Sequence, residues 1–108
     1  MRSQGLLALV FVAALGCSDG PGPVRSFELF YEALGSPAAL DSLSARARSR
    51  LSDEARVAMI ATPARMTLRS VSVVFERADQ ATLEVKDALG ARKRVTMVRE
   101  DGAWRVDQ

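Results

Sequence analysis

The apolar residues between positions 24 and 34 follow the period of an α-helix. Val24, Phe27, Phe30, Tyr31 and Leu34 fall at i, i+3, i+6, i+7 and i+10, which places them on one face. Proline is common in the first turn of a helix and glycine just after its end, and the chain has Pro23 and Gly35 at these positions. The pattern therefore predicts an amphipathic helix over 24–34.

Two further helices are predicted before Pro63. Ser36 is expected to be the N-cap of the first of them, with Pro37 as its first helical residue. Ser52 is expected to be the N-cap of the second, which has acidic residues in its first turn. Pro63 limits this helix because proline disfavours a helical conformation in the residue before it. The apolar positions of the longer helix are Leu40, Leu43, Ala47 and Leu51.

Beyond Pro63 the period changes from helical to alternating and β-branched residues become common, which predicts four strands. Their approximate ranges are 65–77, 81–86, 93–100 and 104–107. The strongest turn signal is Asp101-Gly102, a pair that favours the positive φ angles of a type I′ hairpin turn.

The first strand has a break in its alternation. Val71, Val73 and Phe75 share one parity, whereas the apolar residues nearer its start have the other. We therefore expect a β-bulge or a strong bend near Arg69.

Helices followed by an antiparallel meander predict an α+β fold, with the helices packed on one face of a curved sheet of about four strands. A domain of this size has room for one core. The expected core residues are Phe27, Phe30, Leu34, Leu40, Leu43, Val73, Phe75, Leu83, Val85 and Trp104.

The first sixteen residues have the pattern of an export signal. Arg2 precedes an uncharged, mostly aliphatic run from Leu6 to Leu15. Ten helical residues span roughly 15 Å, about half of the hydrocarbon core of a bilayer, so the run is too short for a transmembrane helix. We interpret residues 1–16 as a signal peptide.

The sequence Ala13-Ala14-Leu15-Gly16-Cys17 resembles the lipobox of bacterial lipoprotein signal peptides. The resemblance implies cleavage between Gly16 and Cys17, diacylglyceryl transfer to the Cys17 thiol and acylation of the new amino terminus. Two alternatives stay open: an ordinary secretory signal with an incidental cysteine, and an exported protein with a free thiol.

Residues 17–23 are expected to be the lipidated cysteine and a flexible tether, because Ser18 to Pro23 contains no residue with a reason to pack. Extended, these six residues reach roughly 20 Å. The domain over 24–108 would therefore lie close to a membrane. Removal of residues 1–16 takes Arg2 and leaves a net charge of +1, which gives no reason to expect nucleic-acid binding.

The element order resembles the nuclear-transport-factor-2-like (cystatin-like) superfamily, and more narrowly its small bacterial lipoproteins of unknown function. The residues that carry this resemblance are Phe-Glu-Leu-Phe-Tyr-Glu-Ala-Leu at 27–34 and the closing Val-Arg-Glu-Asp-Gly-Ala-Trp-Arg-Val-Asp at 98–107. It implies a short version of the cone-shaped fold, with a pocket between the first helix and the sheet. Enzymes of the superfamily use acidic residues, tyrosines or histidines in that pocket.

Composition argues against chemistry at such a pocket. The chain has no histidine and a single cysteine, so we expect no catalytic residues, no metal site and no cofactor. The lack of histidine, the uninterrupted apolar inward positions and the short chain also favour a small or filled pocket.

Three residues are candidates for the mouth of a pocket: Tyr31, Arg69 and Trp104. Tyr31 and Trp104 would form a platform for an amphipathic ligand, and Arg69 would bind an anion; ordinary core and surface roles are the alternatives. The basic cluster Arg92-Lys93-Arg94 would attract anionic headgroups, or would be a solvated strand start. The acidic pairs Asp53-Glu54 and Glu100-Asp101 are explained by capping and turn formation.

The leading hypothesis is a non-catalytic binding or interaction module, held in the cell envelope by a lipid anchor. In a Gram-negative host it would face the periplasm from the outer membrane, since Ser18 follows the cysteine; otherwise it would lie on the outer face of the cytoplasmic membrane. One alternative is a small isomerase or cyclase that uses a tyrosine and a carboxylate. Another is a homodimer formed through a second apolar sheet face with Met66, Leu68, Val74 and Val98.

Overall fold

A computed structural model describes residues 20–108. Within these residues four helices precede four strands, so the α+β order is confirmed. The helices are α1 (Pro23–Ala33), α2 (Ala38–Asp41), α3 (Ala45–Arg50) and α4 (Asp53–Ala61). The strands are β1 (Leu68–Glu76), β2 (Gln80–Asp87), β3 (Arg92–Glu100) and β4 (Ala103–Val106).

Helix α1 confirms the first predicted helix. Pro23 occupies its first turn, and the chain leaves the helix through Leu34 into Gly35, which has a φ of +93°. Phe27 is buried, while Phe30 and Tyr31 are half-buried and pack against the core from the same side. Helix α4 begins after Ser52, whose hydroxyl accepts from the amide of Ala55, as the sequence predicted.

The prediction of one continuous helix from Ser36 to Leu51 is wrong. The chain instead forms two short helices, α2 and α3. Between them residues 42–44 run beside β4, where Leu43 and Val106 form an isolated parallel β-bridge. The amide of Val106 donates to Ser42 and the amide of Ser44 to Val106, each at 2.8 Å. These bonds satisfy part of the exposed edge of β4, which local helix propensity does not take into account.

The predicted N-cap at Ser36 is also wrong. Its hydroxyl donates to the carbonyl of Ala33 at 2.7 Å, and Pro37 occupies the N-cap position of α2. The side-chain cap in this region belongs to Ser44, which accepts from the amide of Ala47 at the start of α3.

The strands form one antiparallel sheet in the order β1-β2-β3-β4, as predicted. The face that packs against the helices is the inner face, and the opposite one is the outer face. Asp101 and Gly102 both have positive φ, 53° and 81°, which confirms the type I′ geometry expected for the last hairpin. The buried residues of the inner face are Ala81, Leu83, Val85, Val95, Met97, Trp104 and Val106.

Strand β1 has two irregularities in its pairing with β2. One lies between Leu68 and Ser70, which confirms the bulge expected near Arg69. The second lies between Val73 and Phe75 and was not predicted. After it, Phe75 pairs with Thr82 on the outer face instead of continuing the alternation of Val73, which pairs with Leu83.

The second bulge corrects the predicted core. Phe75 is 48% exposed because the bulge moves it to the outer face, and Val73 is 40% exposed on the inner side of an edge strand. Phe30, Leu34 and Leu40 are half-buried instead of buried. The buried core contains the other five expected residues and adds smaller or later ones: Ala39, Ala47, Ala81, Val95, Met97 and Val106.

Candidate functional site

An apolar cleft lies between the helices and the inner face of the sheet. Its volume is about 590 Å³, within the range of about 300 to 1,000 Å³ typical of small-molecule sites. The expectation of a small or filled pocket is therefore wrong. Residues that line the cleft include Phe30, Tyr31, Leu51, Met59, Met66 and Val85.

The walls of the cleft come from helix α1, from the α3–α4 region and from the sheet. Helix α1 contributes Phe30 and Tyr31, while Leu51 and Met59 come from the α3–α4 region. These side chains are half-buried, so apolar surface remains open to a ligand. Two of the wall residues are methionine, a flexible side chain that adapts to differently shaped apolar partners.

Charged side chains occur where the β2–β3 turn borders the cleft. They are Asp87 at the end of β2 and Arg92 and Lys93 at the start of β3. Lys93 pairs with Val85, so it lies on the inner face, whereas Arg92 and Arg94 pair with the outer-face residues Lys86 and Glu84. The basic cluster of the sequence is thus divided between the two faces: Lys93 has the inner-face position, and Arg92, although its position is on the outer face, also borders the cleft at the turn.

The carboxylate of Asp87 already has partners. One of its oxygens accepts hydrogen bonds from the amides of Leu89 and Ala91, at 2.9 and 3.0 Å. These bonds shape the β2–β3 turn. Asp87 therefore acts as a turn-forming residue at the border of the cleft.

Of the three predicted pocket residues, one lines the cleft. Tyr31 does so, and its hydroxyl donates to the carbonyl of Met66 at 2.6 Å. This bond ties α1 to the segment that leads into β1. Arg69 is exposed at the first bulge, and Trp104 is buried under the guanidinium of Arg99, 5.0 Å from its ring centre; neither is among the cleft residues.

Cys17, the predicted lipid-attachment site, and Gly16, on the other side of the predicted cleavage position, lie outside the described residues. The helices between residues 20 and 108 all fall short of the length and apolar character that a membrane span requires.

A polar cluster joins the start of α3 to the end of the chain. The buried hydroxyl of Ser44 donates to Asp107 at 2.5 Å, and the guanidinium of Arg46 forms an ion pair with the same carboxylate. Burial raises the pKa of Asp107, but the hydrogen bonds from Arg46 and Ser44 and the charges of Arg46 and Arg50 outweigh it. The pKa of Asp107 is therefore below its ordinary value, and the group is ionised at neutral pH.

This cluster was not predicted from the sequence, and it has a structural role. Ser44 also accepts from the amide of Ala47, so its hydroxyl is engaged as both donor and acceptor. Glu100 accepts from the amide of Ala45 through both oxygens, which further stabilises the first turn of α3. Within residues 20–108, no group of three or more potential metal ligands comes together.

The second apolar face expected for dimerisation is not formed as one surface. Met66 and Leu68 line the cleft, Val98 is half-buried, and Val74 is exposed at the second bulge of β1. The exposed apolar residues of this edge strand are Val73, Val74 and Phe75.

Comparison of the chain with protein-family models, with curated proteins and with solved structures gave no significant match.

Proposed function

We propose that this protein is a lipoprotein of the cell envelope, anchored through Cys17, and that its domain is a non-catalytic binding module of nuclear-transport-factor-2-like type. Its ligand site is the apolar cleft. The observation that carries the binding function is the cleft of about 590 Å³ with half-buried apolar walls.

The physical reason is the free energy available from covering those walls. Each Å² of apolar surface removed from water contributes about 25 cal/mol, so an apolar ligand that fills the cleft gains several kcal/mol before its own ordering cost. Phe30, Leu51 and Met59 are held in place by the helices and are accessible without unfolding. The site is thus formed before the ligand arrives.

The polar groups of the cleft support binding over catalysis. The hydroxyl of Tyr31 donates to Met66, and one oxygen of Asp87 holds the β2–β3 turn. A general acid or base must reach the proton of a bound substrate, whereas the Tyr31 hydroxyl donates its proton to the backbone and Oδ1 of Asp87 is engaged by two backbone amides. They position the walls of the cleft.

The anchor is tested by replacing Cys17 with alanine in cells grown with labelled palmitate. We expect the label on the wild-type protein to be lost from the variant, because the thiol is the atom that the acyl glyceride would modify. A serine-to-alanine change at Ser18 is the matched control and should keep the label. Equal labelling of the wild type and the Cys17→Ala variant would refute the anchor.

The cleft is tested with membranes that contain the full-length protein and a photoreactive tetradecanol, whose diazirine is at the end of the chain. After illumination, labelling is expected at cleft residues such as Phe30, Leu51 and Met59, identified by mass spectrometry. Ala91→Trp should reduce it several-fold, because Ala91 is exposed where the turn borders the cleft.

Ala88→Trp is the matched control, since Ala88 lies in the same turn, is also exposed and does not line the cleft. It should leave the labelling unchanged. Labelling that avoids the cleft residues, or that Ala88→Trp reduces as much as Ala91→Trp, would contradict the proposed binding function.

A further inference from the structure

The cleft combines apolar walls with one inward-facing cation. Lys93 pairs with Val85 across the β2–β3 ladder, and Val85 is a buried residue of the inner face. Lys93 itself is exposed and lines the cleft. The hydrocarbon stem of a lysine side chain can lie along apolar surface while its ammonium group stays in water at the border.

Within residues 20–108 Lys93 forms no ion pair, and the two cations that border the cleft, Lys93 and Arg92, outnumber its one aspartate, Asp87. Asp87 is the acidic side chain among the lining residues, and its Oδ1 accepts from the amides of Leu89 and Ala91. Among the residues from 20 to 108, the ion pairs all involve other side chains: Arg25 with Glu28 and Glu32, and Arg46 with Asp107. Arg92 adds a second positive charge beside the cleft.

We propose that the cleft binds an amphiphile with an anionic headgroup. Its hydrocarbon chain lies against the walls that include Phe30, Leu51 and Met59, and its headgroup lies at Lys93. This inference rests on the proposed binding function and adds the chemical class of the ligand. Apolar walls favour a hydrocarbon chain, and an inward cation at the solvent-facing border favours a headgroup with a negative charge.

The orientation follows from desolvation. A carboxylate or phosphate placed deep between the apolar walls would lose its water without a partner, which is costly. At the β2–β3 turn the headgroup keeps contact with water and gains the attraction of Lys93 and Arg92. Exposed ion pairs contribute little each, so we expect removal of the Lys93 charge to weaken binding of the anion roughly two- to fivefold.

The experiment compares photoreactive tetradecanoate with the photoreactive tetradecanol described above, on membranes that contain the full-length protein. It is done at about pH 8.5, where the carboxylate is ionised. The measured quantity is the ligand concentration that gives half-maximal labelling of the cleft residues. Lys93→Gln should raise this concentration roughly two- to fivefold for tetradecanoate and leave it unchanged for tetradecanol.

Arg94→Gln is the matched control, because Arg94 is the next residue of the same strand, carries the same charge and pairs with Glu84 on the outer face. Arg94→Gln should leave the concentration for half-maximal labelling unchanged for both tetradecanoate and tetradecanol. If Lys93→Gln and Arg94→Gln act equally on tetradecanoate, or if Lys93→Gln weakens both ligands equally, the anionic headgroup is refuted. Each result leaves the binding function intact provided that tetradecanol still labels the cleft. Failure of both ligands to label the cleft refutes the binding function itself.

Competition by unlabelled tetradecyl phosphate distinguishes a phosphate headgroup from a carboxylate headgroup. A carboxylate ligand predicts that unlabelled tetradecanoate competes with the photoreactive ligand at least as well as tetradecyl phosphate. Stronger competition by the phosphate assigns the headgroup to a lysophospholipid-like molecule. Both results support an anionic amphiphile, whereas no competition by either overturns it.

Discussion

Replacing Gly35 with alanine is expected to lower the free energy of unfolding by at least about 2 kcal/mol. Gly35 has a φ of +93°, a left-handed conformation that residues with a Cβ adopt at a cost. A Cβ at this position would lie 2.9 Å from the backbone N and Cα of Pro63, and backbone atoms cannot move aside cheaply. The amide of Gly35 also donates to Met59 at 2.9 Å, so the end of α1 is fixed to α4.

Gly90→Ala separates the two causes. Gly90 has nearly the same φ, +88°, and no atom lies within 4 Å of its would-be Cβ. Gly90→Ala should therefore lower the free energy of unfolding only by the cost of placing alanine in a left-handed conformation, about 1 to 2 kcal/mol. Urea unfolding of both variants measures the difference, which is the contribution of the close approach to Pro63. Equal losses for Gly35→Ala and Gly90→Ala would show that this approach relaxes without cost.

The Gly35 variant also connects stability to the cleft. Leu34 and Met59, on either side of this junction, line its wall. A displacement of α1 from α4 would therefore change the cleft as well as the core. We expect Gly35→Ala to weaken labelling by tetradecanol, while Gly90→Ala should do so much less.

Replacing Asp107 with asparagine is expected to cost about 1 to 3 kcal/mol at neutral pH. The side chain of Asp107 is 5% exposed and accepts from both Ser44 and Arg46. Asparagine keeps the shape of the side chain but lacks the negative charge that the hydrogen bonds from Ser44 and Arg46 stabilise. The measurement is again urea unfolding, with Asp101→Asn as the control, since Asp101 is an exposed turn residue at positive φ, where asparagine is well tolerated.

The same pair of variants gives a pH test. The pKa of Asp107 is lowered in the folded protein, so its contribution is complete above the pKa of an unfolded aspartate, about 3.9, and is lost as the pH falls through the lower folded value. The stability difference between the wild type and Asp107→Asn should therefore narrow in acid. A difference that stays constant from neutral pH into this range would show that the charge of Asp107 does not contribute.

Local patterns predicted the elements that depend on neighbours in sequence. The stripe from Val24 to Leu34 gave α1, Ser52 gave the start of α4, and Asp101-Gly102 gave the last hairpin. The parity break near Arg69 gave the first bulge. Each of these features is set by backbone preference or by side-chain spacing within one element.

The parity of β3 places one charged residue on the inner face. Lys93 has the same parity as the buried residues Val95 and Met97. Parity alone does not mark the cleft border, because Arg99 has the same parity near the other end of β3 and lies over Trp104 outside the cleft. By contrast, the Ser44–Asp107 contact joins residues 63 positions apart, and no local pattern indicates it.

The sequence by itself determined the α+β order, the apolar face of α1 and the turn of the last hairpin, because these follow from periodicity and local backbone preference. The tertiary structure alone decided three features: the break of the second helix beside β4, the outward turn of Phe75 at the second bulge, and the cleft. The first depends on satisfying an edge strand with a distant segment, and the second on the register with β2. The third depends on how the helices pack on the sheet. All three features are relations between elements, which the periodicity within one element does not contain.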